Sequence, residues 1–325
     1  MTLSLSLENL EQSAQLVYQH MGPTPQYAWP LLAERCGAEV WVKHENHTPI
    51  GAFKVRGGLN YMQRLKEEQP CVSGVISATR GNHGQSIGFA AQVTGMEATI
   101  LVPFGNNPEK NKAMLALGID LIEHGEDFQE AAEHAQALAA SKGLHMIPSF
   151  HPWLVGGVAS YGLEFFRAVP DMDAVFVAIG MGSGICSLIQ ARNALGLKTR
   201  IYGVVSENAP TYFLSFKQGG VVTTDSANTL ADGVACRVPD ELALETILDG
   251  AADIVTVSED EILSAMGHYF TDTHNVAEGA GAVQLAALLQ RRDEFAGKRV
   301  GLVLSGGNAD KALMMRMLNQ TGEQT

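Results

Sequence analysis

Lys54 stands in Pro49-Ile50-Gly51-Ala52-Phe53-Lys54-Val55-Arg56-Gly57-Gly58, just after a strand-like run from Glu39 to Lys43. Small residues come first, and a helix-like run begins with Lys54 near its first turn. The positive end of a helix disfavours a further positive charge, and partial burial does the same. A lysine placed there can lose its proton near neutral pH and become a nucleophile for a carbonyl. Read alone, it is more often a solvated lysine at a helix start.

Three distant segments give it company: Ser77-Ala78-Thr79-Arg80-Gly81-Asn82-His83-Gly84-Gln85, Gly180-Met181-Gly182-Ser183-Gly184 and Leu304-Ser305-Gly306-Gly307-Asn308. The glycines of 180–184 follow an apolar strand and precede a helix. Converging backbone N–H groups and the helix N-terminus suit a phosphate dianion there. A ligand-free strand–helix turn is the plainer reading. A dinucleotide site is the sharper rival, because Glu207 ends the next strand where a ribose-binding acid would sit. That rival gives Lys54, Asn82 and Ser305 no task. Asn82 lies just beyond a strand's C-terminal end, the usual ligand side of an open α/β sheet, although turn chemistry explains Asn-His after Gly as well.

These four motifs, in this order, resemble the serine/threonine dehydratase branch of the fold-type II pyridoxal-phosphate (PLP) enzymes, and the resemblance covers nearly the whole chain. It implies that Lys54 holds PLP as a Schiff base beside Phe53, and removes the substrate α-proton. It implies that Asn82 bonds the cofactor 3′-oxygen, that Gly180, Gly182, Ser183 and Gly184 bind the phosphate, and that Ser305 meets the pyridine nitrogen. Thr79, Arg80, Gly81 and His83 match the loop that binds the substrate carboxylate. Glu278 matches an acid close to the cofactor, with helix capping an equally good reading. Cys236, in Ala231-Asp232-Gly233-Val234-Ala235-Cys236, matches a substrate-side pocket wall.

The chain departs from the pattern in places. Arg80 stands where racemising relatives carry a serine base, and an arginine stays protonated, so elimination without racemisation is expected. Val205 and Thr211 stand at the acids of a divalent-cation site, and valine cannot ligate a hard cation, so no metal is expected. The segment 151–158 is short and apolar, which bears on substrate identity. His83 follows the loop Asn where β-replacement synthases, the runner-up, carry Thr. The expected activity is an ammonia-lyase (dehydratase) acting on serine, threonine or a bulkier 3-hydroxy amino acid such as phenylserine, giving a 2-oxo acid and ammonia. A nicotinamide-dependent enzyme and a silent amino-acid binder are the remaining alternatives.

The elements that must position these residues alternate strand and helix periods throughout, the pattern of an α/β protein with largely parallel sheets. Strands are expected at 74–78, 98–103, 120–123, 174–179, 201–205 and 299–304. Helices are expected at 85–94, 110–117, 128–141, 185–194, 259–271 and 280–290. The resemblance implies two open, mostly parallel sheet domains of the tryptophan synthase β-like architecture: 71–150 as a small inserted domain, 1–70 with 151–325 as the large PLP-binding one. It leaves no room for the regulatory domain of the feedback-inhibited relatives.

The chain has 325 residues, 46% of them hydrophobic, enough for a large core. Its net charge of −13 argues against nucleic-acid and anionic-membrane partners. The four cysteines, Cys36, Cys71, Cys186 and Cys236, show no paired metal spacing and read as reduced thiols of a cytoplasmic protein. No signal peptide or membrane span is evident. A small amino acid is the expected partner, and the resemblance implies a homodimer or higher homo-oligomer.

Overall fold

Apolar strands alternating with helices build two sheets in the computed structural model, which describes residues 3–320. The strands are β1 (Gln26–Ala28), β2 (Glu39–His44), β3 (Gly74–Ala78), β4 (Glu97–Val102), β5 (Asp120–Glu123), β6 (His145–Met146), β7 (Ala174–Ala178), β8 (Arg200–Ser206), β9 (Asp253–Val257) and β10 (Arg299–Leu304). The first sheet has the order β1-β2-β10-β7-β8-β9 and is parallel except for β1. The second, β5-β4-β3-β6, is wholly parallel. All of its strands fall between Gly74 and Met146. Residues 1–2 and 321–325, at the outer limits of the expected large domain, lie outside the described residues.

The helices are α1 (Leu7–Tyr18), α2 (Pro30–Cys36), α3 (Lys54–Glu68), α4 (Asn82–Thr94), α5 (Pro108–Ala116), α6 (Phe128–Lys142), α7 (Pro152–Ala168), α8 (Ser183–Ala194), α9 (Thr211–Gln218), α10 (Glu241–Gly250), α11 (Glu259–Thr273), α12 (Gly279–Gln290) and α13 (Lys311–Gln320). None of the described helices is long and apolar enough to cross a membrane. Helices cover both faces of the larger sheet, so its inner strands bury nearly every side chain; β7 and β8 read as continuous apolar runs for that reason.

α3 carries Lys54 and packs between α4 and α7 at close range. A Cβ on Gly58 would lie 2.8 Å from the Ser86 carbonyl oxygen, and one on Gly157 would lie 2.3 Å from that of Arg56. The segment 151–158, expected to bear on substrate identity, is in fact the N-terminal part of α7. His151 caps it through the Trp153 N–H, Pro152 opens it, and its glycines admit α3. Beneath the start of α3 lies a buried ionic cluster. Arg56 bonds Glu45 at 2.7 Å and Glu164 at 2.6 Å, and Lys43 also pairs with Glu164. The Arg56 and Glu45 side chains are fully enclosed. Two cations face two carboxylates, which is the condition under which such charges can be buried at all.

A central strand of the larger sheet, β10, fixes the entry to α3. Leu304 is in register with His44. Beyond it, Ser305 O accepts the Phe53 N–H at 3.0 Å, Gly51 O accepts the Gly307 N–H at 2.9 Å, and Ala52 forms a bridge with Gly306.

Candidate active site

Three parallel strands, β3, β7 and β10, run into loops at their C-terminal ends, and these loops meet the first turn of α3 around one cavity. This is the ligand side of open α/β sheets. Phe53, Lys54, Thr79, Arg80, Gly81, Asn82, His83, Gly180, Gly182, Ser183, Gly184, Glu278 and Ser305 all line it. Of the residues expected at the site, only Cys236 is displaced. Ala235 lines the cavity instead, while Cys236 is 4% exposed in the core with its thiol directed to Val238 O at 3.2 Å. Burial pushes that thiol up to about 12, so it stays protonated. The expectation for Cys236 is therefore corrected by one residue.

Lys54 is the first residue of α3. Its Nζ donates to Ser183 Oγ at 3.1 Å and lies 5.2 Å from the Phe53 ring centroid. Burial without a carboxylate partner lowers its pKa to about 8, far below an ordinary lysine. α4 begins at Asn82, three residues earlier than its apolar periodicity indicated, which puts Asn82 and His83 in its first turn. No side chain caps that helix at Gly81. His83 Nε2 is buried without a hydrogen-bond partner among the described residues. Burial, reinforced by the charge of Lys54, brings His83 down to about 3, so its imidazole is neutral.

Asn82 Nδ2 donates to Glu278 Oε1 at 2.7 Å, and Asn82 Oδ1 accepts from Asn308 at 2.8 Å. Glu278 precedes α12 but makes no capping bond, so the acid faces the cavity rather than its own helix. Burial raises its pKa against the opposing pull of Lys110 and Asn82. Ser305 Oγ donates to Ala280 O at 3.1 Å. A serine hydroxyl has one hydrogen, so donating to a ring nitrogen would mean releasing Ala280 O.

The 180–184 loop is built for backbone approach. A Cβ on Gly180 would sit 2.2 Å from Gly233 O, and Gly182 has φ +100 with its Cβ position 2.7 Å from Ala243 Cβ. Only glycine fits either place. A phosphate at the N-terminus of α8, an aldehyde at a buried amine of lowered pKa and a polar ring edge near Asn82 and Ser305 match this donor set. The residues therefore fit PLP. Glu207, the acid that a dinucleotide would need, is exposed and does not line the cavity. Val205 is in the apolar core, and Thr211 Oγ1 faces Thr224 Oγ1 at 2.8 Å. Among the described residues, no group of three His, Cys, Asp or Glu could hold a metal.

The model of the pyridoxal-phosphate dependent enzymes matches residues 17–306. The chain belongs to this family. It is 33% identical over 317 residues to the L-threonine ammonia-lyase of Thermotoga maritima, covering 97% of this chain and 79% of that protein. It is 31% identical to the L-threo-3-hydroxyaspartate ammonia-lyase of Saccharomyces cerevisiae, with 90% of each chain covered. Threonine deaminase isoform 2 of Solanum lycopersicum, in its processed form, has the same fold. The TM-score is 0.90 at 28% identity, over 99% of this chain and 96% of that one. The enzyme is thus a PLP-dependent lyase of the dehydratase type, acting on hydroxy amino acids.

Sequence reasoning missed two charged groups of the cavity. Lys110, from α5, lies across Gly81 and pairs with Asp232 at 2.6 Å. Asp232 sat inside the 231–236 loop already singled out, where attention went to the cysteine. Lys110 carried no local signal, since a lysine in the first turn of a helix usually reaches solvent.

Proposed function

We propose that Lys54 is both the attachment point of PLP and the base that takes the substrate α-proton. The observation that carries this is its buried amine, whose pKa burial lowers to about 8, in a cavity lined by the glycine loop, Asn82 and Ser305. Bound PLP supplies an electron-withdrawing ring that weakens the Cα–H bond and lets a β-hydroxyl leave. The N–H groups of residues 180–184 would hold its phosphate, Asn82 would meet the ring edge, and Ser305 would meet the ring nitrogen. A hydroxyl cannot impose a proton on that nitrogen as a carboxylate would, which favours prompt elimination.

The first turn of α4, with Thr79 and Gly81, receives the substrate carboxylate. Thr79 Oγ1 holds the loop by accepting the Gly81 N–H at 3.0 Å. His83, neutral over the working range, positions rather than transfers a proton. Lys54 Nζ is the base placed to accept the Cα proton. The substrate is a 3-hydroxy amino acid, serine and threonine included, and the products are a 2-oxo acid and ammonia. Arg80, permanently charged, supplies no second base, so racemisation is not expected. Residues 71–150 form a small α/β domain inserted in the large one. The enzyme works in the cytoplasm as a homo-oligomer.

The test is borohydride reduction of the purified protein followed by peptide mapping, with Lys54→Ala as control. The label should fall on Lys54. The Lys54→Ala protein should lack both oxo-acid production and the reducible chromophore; a variant that keeps the chromophore places the attachment on another lysine.

A further inference from the structure

The charged side chains around the cavity are Lys54, Arg80, Lys110, Asp232 and Glu278. Four of them have an evident task. Lys110 and Asp232 neutralise each other at 2.6 Å, Glu278 accepts from Asn82, and the Lys54 amine donates to Ser183. Arg80 has none. It is exposed and makes no hydrogen bond or ion pair among the described residues. It also lines the adjoining cavity formed by Pro103, Phe104 and Asp310, so it stands where the two cavities meet. Glu126 and Asp310 line that second cavity without pairing with it, and Asp310 accepts instead from Asn107 and the Leu313 N–H.

A serine or threonine brings a single carboxylate, for which the uncapped N-terminus of α4 already offers backbone N–H groups. Their β-substituents, a hydrogen or a methyl, make no use of a guanidinium one residue before that terminus. We propose that Arg80 reads a second anionic group on the substrate β-carbon, so that the preferred substrate is a 3-hydroxy amino acid whose side chain ends in a carboxylate. The proposal rests on the lyase reading above and adds its substrate class. An arginine is suited to this task because it stays charged and presents paired planar donors to a carboxylate. The chemistry needs no co-reactant. The Cα proton goes to Lys54 Nζ and is passed on to the β-hydroxyl, which departs as water and leaves the amine neutral again. Water then hydrolyses the released product to a 2-oxo dicarboxylic acid and ammonia.

The experiment uses the PLP-loaded enzyme and its Arg80→Gln and Arg80→Lys variants, with L-threonine and L-threo-3-hydroxyaspartate as substrates. The readout is the ratio of kcat/KM, dicarboxylate over threonine. Wild type should favour the dicarboxylate. Arg80→Gln should lower the ratio by about 10- to 100-fold, the range of one charge-assisted hydrogen-bonded pair, and Arg80→Lys should lie between. An unchanged ratio in Arg80→Gln overturns the proposal, because it would put Arg80 on the shared α-carboxylate or in solvent. So does a wild type that prefers threonine. A second measurement needs no turnover: binding of L-aspartate against L-alanine, neither of which has a β-hydroxyl to lose, read from cofactor absorbance. Wild type should bind aspartate at least about tenfold more tightly, and Arg80→Gln should abolish the difference. Equal affinities in wild type overturn the proposal. Failure of the lyase reading looks different: no oxo acid forms from any 3-hydroxy amino acid.

Discussion

Burial holds the Lys54 amine near a pKa of about 8, and this makes cofactor capture pH-dependent. Only the neutral amine attacks an aldehyde. Capture of PLP by the apoenzyme should therefore speed up about tenfold per pH unit below that value and level off above it. Stopped-flow absorbance across this range checks it; a rate still climbing well beyond pH 9, about a unit above that pKa, would mean an ordinary lysine. The sign for stability follows from the same shift. The unfolded chain keeps its proton up to about 10.5, so between the two values it binds more protons than the folded chain. Apoenzyme stability gains from this group as pH rises through that window, and the full penalty applies below it. Gly182 supplies a second prediction. Gly182→Asp places a side chain at φ +100, against Ala243, and a negative charge where the phosphate sits. At ~4 Å and an effective dielectric near 20, the repulsion is on the order of 4 kcal/mol. PLP titration of the folded variant should show affinity lower by orders of magnitude.

Arg56, on the first turn of α3, makes that element sensitive to its hidden charges. Arg56→Met strips the cation from Glu45, which is left buried without its ion-pair partner, and leaves Glu164 with Lys43 alone. The cost should be about 3–5 kcal/mol, read as a lowered denaturant midpoint. Glu164 itself is held below the usual carboxylate range by Arg56 and Lys43, against the upward push of burial. Its contribution is present above the ordinary carboxylate pKa and is lost as pH falls through the lowered one, so acid should loosen the α3–α7 contact. This cluster was invisible in the sequence, because Lys43, Glu45, Arg56 and Glu164 share no periodicity. β3, β5 and β10 were legible to the residue, since each is a short apolar run bounded by turn residues. α4 was read three residues late because His83 and Gly84 carry no helical signal; its start is set by the loop that it closes. β9 and α10 went unread although Asp253-Ile254-Val255-Thr256-Val257 has strand character. The residues expected from the motifs line the cavity with the exception of Cys236, because the direction of a side chain is tertiary information.

At the scale of the whole molecule, the cavity draws residues from both sheets, so cofactor binding should stabilise them together. With PLP at about 100 times its dissociation constant, linkage gives roughly 2.7 kcal/mol, and the holoenzyme should melt in one transition above that of the apoenzyme. Calorimetry with and without PLP checks this; a transition unmoved by PLP would place the cofactor elsewhere. Position along the chain adds a constraint of another kind. β10 is a central strand of the larger sheet, yet it is translated after every other strand of that sheet. Until residues 299–304 leave the ribosome, β1 and β2 have no neighbour to join β7. The peptide at Ala52 and Phe53 then lacks the strand end that orients Lys54. At ~5–20 residues per second, the interval from Lys54 to Ser305 lasts roughly 10 to 50 s. For that time Lys54 has no finished site around it and keeps the proton of an ordinary lysine. Ribosome-arrested chains that expose residues up to about 290 should fail to retain PLP, and chains that expose the whole of β10 should retain it.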